Sequence, residues 1–132
     1  SFGEYFHKIL IMALQDFYTI NSFYFQSNVL SASVSINPNH SIFEGHFPDN
    51  PITPGVVQVQ MVKELLERHY GTKLKMKEMG RCKFVAILNP NECVKFEIDI
   101  EVLNDVESPI KIKAIGKDET TTYLKFNAYY EK

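Results

Sequence analysis

A regular alternation of apolar and charged side chains over residues 94–102 is the feature that most restricts the fold of this chain. The apolar members are Val94, Phe96, Ile98, Ile100 and Val102, and the charged members between them are Lys95, Glu97, Asp99 and Glu101. A period of two residues places all the apolar side chains on one face of a β-strand. Such a strand is typical of an antiparallel sheet with one buried face, which needs a second layer to cover it.

Other segments show the same kind of pattern. Leu30–Ile36 alternates with serines and stops at Asn37-Pro38-Asn39, and alternation returns in Ile110–Ala114 and Leu124–Tyr130. We also expect a strand in the apolar run Phe84–Leu88, which ends at a turn rich in Asn and Pro. Because the connections are short, neighbouring strands are predicted to pair as hairpins.

A single long helix is predicted between the first strand and the later ones. Pro54 and Gly55 open it, and Gly71 supplies a stop after about Tyr70. On a helical wheel one arc is apolar and is expected to pack on the sheet: Val59, Met61, Val62, Leu65 and Leu66. A second arc is polar and is expected to face a partner, a substrate or water: Gln60, Lys63, Glu64 and Glu67. The predicted architecture is an α+β fold, with one helix against a strongly curved antiparallel sheet.

Length and composition favour one globular domain over residues 1–132, with 45% apolar and 23% charged residues. The longest apolar run, Ile9–Leu14, is much shorter than the roughly 20 residues of a membrane span, and no basic leader precedes it. Cys82 and Cys93 lack metal-ligand spacing. We therefore expect reduced thiols in a cytoplasmic protein, with no metal site.

Charge is unevenly distributed along the chain. The net charge is −2, yet the segment from Lys63 to Lys83 holds seven basic and three acidic residues, so the remainder carries −6. This balance argues against general nucleic-acid binding. It fits either a specific acidic partner or a solvated charged face.

The segment from Asn37 to Pro54 contains four prolines and is predicted to be an ordered loop. It carries His46, which is either a structural hydrogen-bonding residue or a functional one. The functional interpretation rests on position, since the loop leads directly into the helix start at Gly55. Free N–H groups and the positive end of the helix dipole can stabilise a developing oxyanion there.

The string Gly-His-Phe-Pro-x-x-Pro-x-x-Pro-Gly, from Gly45 to Gly55, resembles the active-site loop of 3-hydroxyacyl-[acyl-carrier-protein] dehydratases, which have the hotdog fold. The order of strands extends the resemblance over residues 22–131, whereas residues 1–20 match nothing recognisable. It implies a dimer whose continuous sheet wraps two helices, with an acyl tunnel at each protomer boundary. It also implies cofactor-free dehydration to a trans-2-enoyl thioester, in fatty acid or polyene-type biosynthesis.

The resemblance also implies roles for individual residues. His46 would remove the proton next to the thioester carbonyl, and the amide of Gly55 would bind the thioester oxygen. Phe47, Pro54 and Val56 would join Gly55 in binding the substrate. Lys73, Lys75 and Arg81 would dock the acyl carrier protein, which is acidic.

The sequence departs from this family at Gln60, where family enzymes carry a Glu or Asp supplied across the dimer boundary. One turn later, at the position of a common Gln, it has Glu64. An amide cannot exchange a proton at neutral pH, and loss of an acid catalyst typically costs about 10²- to 10⁴-fold. Three outcomes remain open: a slow or specialised dehydratase using His46 and water, an enzyme that recruits Glu64, or a silent subunit paired, as a homodimer or heterodimer, with another hotdog chain. A thioesterase is a further alternative, against which the His-Phe-Pro loop argues.

Three other polar residues have more ordinary interpretations. Gln58 lies within the apolar arc and is expected to bond a loop or strand carbonyl, because buried amides need partners. His40 is expected to brace the loop. His69 lies near the helix C-terminus, where a partial positive charge is favourable.

Overall fold

The structure, a computed structural model, describes residues 14–44 and 51–132. Its helix α1 spans Gly55–Tyr70, and a short 3₁₀ helix spans Ser41–Phe43. The described residues form six strands: β1 (Tyr18–Gln26), β2 (Val29–Ile36), β3 (Lys75–Phe84), β4 (Phe96–Asn104), β5 (Ile110–Lys117) and β6 (Thr122–Glu131).

The six strands form one sheet in the order β1-β2-β4-β5-β6-β3, and each neighbouring pair is antiparallel. The predicted α+β class is confirmed. Hairpin pairing is confirmed for β4 with β5 and for β5 with β6, but it is wrong for β3, which pairs with β6 instead of β4. Residues 85–95 cross three strand spacings, about 14 Å, a distance that a chain of this length covers easily.

Two parts of the strand assignment need correction. The predicted strand Phe84–Leu88 is wrong, because the strand occupies the basic segment Lys75–Phe84 and ends where the apolar run begins. Pairing with β6 supplies backbone hydrogen bonds to this polar edge strand, and residue-by-residue propensity does not reveal that. β1 was not predicted, because its sequence shows no clear alternation of apolar and polar side chains. A bulge between Ile20 and Ser22 breaks its register against β2.

The core lies between α1 and the inner face of the sheet. Met61, Val62, Leu65 and Leu66 are buried as predicted, while Val59 is only partly buried. The helix limits are also as predicted: the chain leaves the helix at Gly71 in the left-handed conformation, with φ +68°. The turn at Gly71 thereby sets the direction in which the chain continues from α1 into β3.

The polar arc of α1 is less exposed than predicted, because Gln60 and Lys63 are buried within the chain itself. Burial lowers the pKa of the Lys63 ammonium group. Side chains of β1 lie along the neighbouring part of the helix surface. Three contacts join them: Tyr18 to Glu64 by a hydrogen bond, Phe23 under the Arg68 guanidinium, and Phe25 stacked on His69.

Candidate active site

Two backbone amides at the start of α1 have no acceptor within the described part of the chain. Pro54 makes no side-chain cap, and the first turn carries no acidic residue. The amides of Val57 and Gln58 both donate to the carbonyl of Pro54, at 3.1 and 3.2 Å, whereas those of Gly55 and Val56 have no acceptor among residues 14–44 and 51–132. Free amides at the positive end of a helix dipole favour an oxygen that carries developing negative charge.

The ring of Phe84 lies directly on Gly55. A Cβ atom at position 55 would lie 2.4–2.8 Å from three ring atoms of Phe84, so a side chain there would force the ring to move. Phe84 is nevertheless 54% exposed. It therefore forms one wall beside the free amides while its other face remains open.

Phe84 belongs to an exposed apolar patch at the helix start, which we call the apolar patch. Its members, between 37% and 65% exposed, are Ile52, Val56, Phe84, Val85 and Ile87. The amide of Thr53 donates to the carbonyl of Leu88 at 2.9 Å, which holds the two contributing segments side by side. Exposed apolar side chains on two adjoining segments are typical of a ligand or protein contact.

Two buried polar atoms beside the patch, Thr53 Oγ1 and Gln58 Oε1, have no hydrogen-bond partner among residues 14–44 and 51–132. The amide nitrogen of Gln58 donates to the carbonyl of Thr53 at 3.3 Å, which confirms the predicted bond to a loop carbonyl. A buried unsatisfied group costs about 1–3 kcal/mol, and such groups are few in native proteins. Their presence next to free amides adds to the evidence for a polar site at the helix start.

The predicted site residues are brought together only in part. Pro54, Gly55 and Val56 meet at the helix start, while His46 and Phe47 lie outside the described residues. Gln60 is about 7.5 Å further along the helix axis than Gly55 and about 140° around it. The side chain at position 60 and the amide at position 55 of one chain therefore point in different directions.

Glu64, a further turn along, is held by two donors. The hydroxyl of Tyr18 donates to Oε1 at 2.7 Å, and the amide nitrogen of Gln60 makes a longer bond to Oε2 at 3.4 Å. Both of its oxygens are therefore already engaged as hydrogen-bond acceptors. Burial, reinforced by Glu64, raises the pKa of Tyr18, which keeps its hydroxyl protonated. Sequence reasoning missed Tyr18, because nothing in the spacing links residues 46 positions apart.

The predicted carrier-docking residues, Lys73, Lys75 and Arg81, are all exposed. Lys73 helps to line a cleft of about 520 Å³ at the far end of α1, together with Glu64 and Glu67. Lys75 begins β3 and Phe84 ends it, so Lys75 lies about 30 Å along the strand from the helix start. Arg81 is much closer to the free amides.

His40 braces the loop as predicted. Its Nδ1 accepts from the amide of Ile42 at 3.0 Å, so its Nε2 carries the proton and donates to the carbonyl of Gln15 at 2.7 Å. The ring also packs edge-on against Phe17. In the described ranges there is no cluster of three metal-ligating side chains. The helix found there is too short and too polar to span a membrane.

Comparison with known proteins places this arrangement in a family. A family model described as "ApeI-like: ApeI dehydratase" matches residues 21–122. The FabZ 3-hydroxyacyl-[acyl-carrier-protein] dehydratase of Alkaliphilus metalliredigens is 28% identical over 97 residues, covering 68% of this chain and 60% of that protein. The FabZ of Lactobacillus helveticus is 26% identical over 101 residues, with 71% and 67% covered. The chain thus spans about two thirds or less of the length of these relatives.

Solved structures confirm the predicted hotdog architecture. The dehydratase heterocomplex ApeI:P from Xenorhabdus doucetiae matches with a TM-score of 0.67 at 16% identity, covering 86% of this chain and 97% of that one. A thioesterase from Staphylococcus aureus matches with a TM-score of 0.63 at 8% identity, with 93% and 96% covered. Since one fold serves both activities, these similarities establish the fold alone. The match over residues 21–122 shows that the chain belongs to the ApeI-like dehydratase family.

Proposed function

We propose that this chain supplies the thioester-binding and base-bearing half of a 3-hydroxyacyl-[acyl-carrier-protein] dehydratase, and that a partner hotdog subunit supplies the acid. The observation that carries the proposal is the pair of free amides at Gly55 and Val56 beside the apolar patch. The amides suit a thioester oxygen, and the patch suits an acyl chain. The FabZ relatives are named for this activity, which supports the assignment.

The proposed reaction divides the work between the two chains. The thioester oxygen accepts from the amide of Gly55, which stabilises the negative charge that develops when His46 takes the proton from C2. The C2–H electron pair forms the C2=C3 double bond as the C3–O bond breaks. The leaving hydroxyl takes a proton from the partner's carboxylic acid and departs as water. Proton exchange with solvent then restores the imidazole and the acid.

The acid is assigned to another chain because this one offers no suitable donor on α1. Gln60 carries an amide, and Glu64 already accepts from Tyr18 and Gln60. The carboxylate of Glu67, near the far end of the helix, accepts from the amide of Leu74. Position 60 also points away from the amide of Gly55 in the same chain. We therefore expect the isolated chain to react about 10²- to 10⁴-fold more slowly than a complete site.

A non-catalytic subunit is the second candidate, and Gln60 with the engaged Glu64 favours it. In that case the chain would complete the site of an active partner, and His46 would not take part in the chemistry. The two candidates differ in the effect of His46→Ala, which abolishes turnover in the first and leaves it unchanged in the second.

The test is hydration of crotonyl- and longer enoyl-carrier thioesters, the reverse reaction, followed by loss of the enoyl absorbance and by mass of the 3-hydroxyacyl product. Wild type is compared with His46→Ala, and with His69→Ala as the matched control, since His69 stacks on Phe25 away from the site. Loss of activity in His46→Ala alone supports the proposal. Activity unaffected by His46→Ala refutes it, and so does release of free thiol without hydration, which indicates a thioesterase.

Carrier docking by Lys73, Lys75 and Arg81 is part of the same proposal, since all three are exposed cations. Lys73→Glu is the cleanest variant, because Lys73 precedes β3. We expect a raised KM for carrier-linked substrate and little change for small thioester analogues. Lys113→Glu, an exposed position on β5, is the control. An equal effect on both classes of substrate would exclude a docking role.

A further inference from the structure

Gln58 is a buried polar side chain among apolar ones on α1. Met61, Val62 and Leu65, which lie three, four and seven residues further along the helix, are buried with it. Its amide nitrogen donates to the carbonyl of Thr53, whereas its amide oxygen has no partner in the described part of the chain. A buried polar atom without a partner costs free energy that an apolar side chain of the same volume would avoid. Within these residues, the structure therefore uses only the donor end of the amide.

Gln58 binds two consecutive backbone carbonyls at the entrance to the helix. Its side-chain amide donates to the carbonyl of Thr53 at 3.3 Å, and its backbone amide donates to the carbonyl of Pro54 at 3.2 Å. Thr53 is also held at its other end, because its N–H donates to the carbonyl of Leu88. Residues 53 and 54 are thus fixed by hydrogen bonds to α1 on one side and to the segment after β3 on the other.

The two carbonyls that Gln58 binds are separated by the two backbone torsions of Pro54. The pyrrolidine ring restricts φ, which is −60° here, so ψ, at 145°, is the torsion that sets the angle between the two peptide planes. A side chain that holds both carbonyls therefore holds this torsion. Because a peptide unit is planar, the direction of the Pro54 carbonyl also fixes the direction of the Gly55 N–H in the same unit.

The Gly55 amide depends on support of this kind. Glycine restricts its own backbone less than other residues do, and Pro54 provides no side-chain cap. Donors in an oxyanion-binding site act through a direction that is fixed before the reaction begins. A misplacement of about 1 Å can cost about 10²-fold in rate. Gln58 lies where it can supply this fixed direction.

We infer that Gln58 is a positioning residue: by bridging the carbonyls of Thr53 and Pro54, it aims the Gly55 amide at the thioester oxygen. The inference rests on the proposed function, in which this amide binds that oxygen. Gln58 itself is buried and acts through the backbone, without contact with the substrate. Its effect is greater in the transition state than in the bound substrate, since the oxygen carries most negative charge there.

Gln58→Met tests the inference, because methionine has a similar volume and helix propensity but no N–H donor. Enoyl hydration is measured for wild type mixed with a second copy that carries His46→Ala and Gln60→Glu, so that the imidazole and the acid lie on different chains. Gln58→Met on the chain with His46 should lower kcat about 10- to 100-fold with little change in KM. The same substitution on the second copy, whose own site lacks the imidazole, should not lower kcat. An equal effect on the two copies, or an unchanged kcat on both, would overturn the inference.

A merely structural role of Gln58 leads to a different result. If the bond to Thr53 served stability alone, Gln58→Met would lower the midpoint of urea unfolding and leave kcat unchanged. The substitution also removes a buried oxygen that has no partner within the described ranges. We therefore expect a midpoint that is unchanged or raised, together with the loss of kcat. A lowered midpoint with unchanged kcat would count against the positioning role.

Backbone amide exchange separates this inference from the proposed function. The amides of residues 57 and 58 both donate to the carbonyl of Pro54, so a loosened carbonyl should speed their exchange about 3- to 10-fold in Gln58→Met. Tyr70→Phe, which removes a hydrogen bond to Asp105 at the other end of α1, is the matched control and should leave both amides unchanged. Faster exchange without hydration by the mixture refutes the function and keeps the support that Gln58 gives to the helix start. Unchanged exchange with full hydration refutes the positioning role and keeps the function.

Discussion

Replacing Gly55 by Ala tests whether the ring of Phe84 lies on the helix start. The new Cβ would lie 2.4, 2.5 and 2.8 Å from three ring atoms, whereas ordinary contacts begin near 3.4 Å. The ring therefore has to move by about 1 Å. Overpacking costs typically about 1–3 kcal/mol, and because Phe84 is half exposed we expect about 1–2 kcal/mol.

The effect of Gly55→Ala on stability should change sign once the ring of Phe84 is removed. The Phe84→Ala background removes these three close contacts, and alanine stabilises a helix by up to about 1 kcal/mol relative to glycine. The double-mutant cycle should therefore give a coupling of about 1–3 kcal/mol. The four proteins are compared by urea unfolding followed by circular dichroism. An equal cost of Gly55→Ala in both backgrounds would show that the ring does not lie on Gly55.

Three further predictions concern stability. Tyr18→Phe removes the hydrogen bond to the Glu64 carboxylate and should lower the free energy of unfolding in urea by about 1.5–3 kcal/mol. An unchanged free energy of unfolding would indicate that the hydroxyl is exposed to solvent. Gly71→Ala should cost about 1–2 kcal/mol because φ is +68°, whereas Gly80→Ala, with ordinary contacts from 3.5 Å, should change stability by under about 0.5 kcal/mol. Hydrogen bonding from Tyr123 lowers the pKa of Asp118 to about 2. The stability that ionised Asp118 contributes to the folded state is therefore complete above pH 4 and is lost as pH falls towards 2. Wild type and Asp118→Asn should therefore converge in stability at pH 2, and a constant difference would contradict the assignment.

The sequence predicted those features that depend on local chemistry. The helix limits follow from Pro54 and Gly71, and the central strands follow from a period of two residues. The start of α1 could be identified because a proline-rich loop leads directly into a helix without an acidic cap. Such features need no knowledge of distant residues.

Features that depend on long-range contacts could not be predicted. Tyr18 reaches Glu64 because β1 runs beside the helix, and Glu64 in turn accepts from the buried Gln60. The ring of Phe84 reaches Gly55 because β3 crosses to the far edge of the sheet. Neither contact follows from periodicity, since each joins residues about 30 to 50 positions apart.

The central claim is that His46 and the helix-start amides of this chain need an acid from a second chain. The most direct measurement is enoyl-thioester hydration by wild type mixed with a second copy that carries His46→Ala and Gln60→Glu. Wild type supplies the imidazole without the acid, and the second copy supplies the acid without the imidazole. We predict that the mixture hydrates the thioester about 10²-fold or more faster than either protein alone. We also predict that placing His46→Ala on both copies abolishes this gain. A mixture no faster than wild type alone, or a gain that survives His46→Ala on both copies, would contradict the claim.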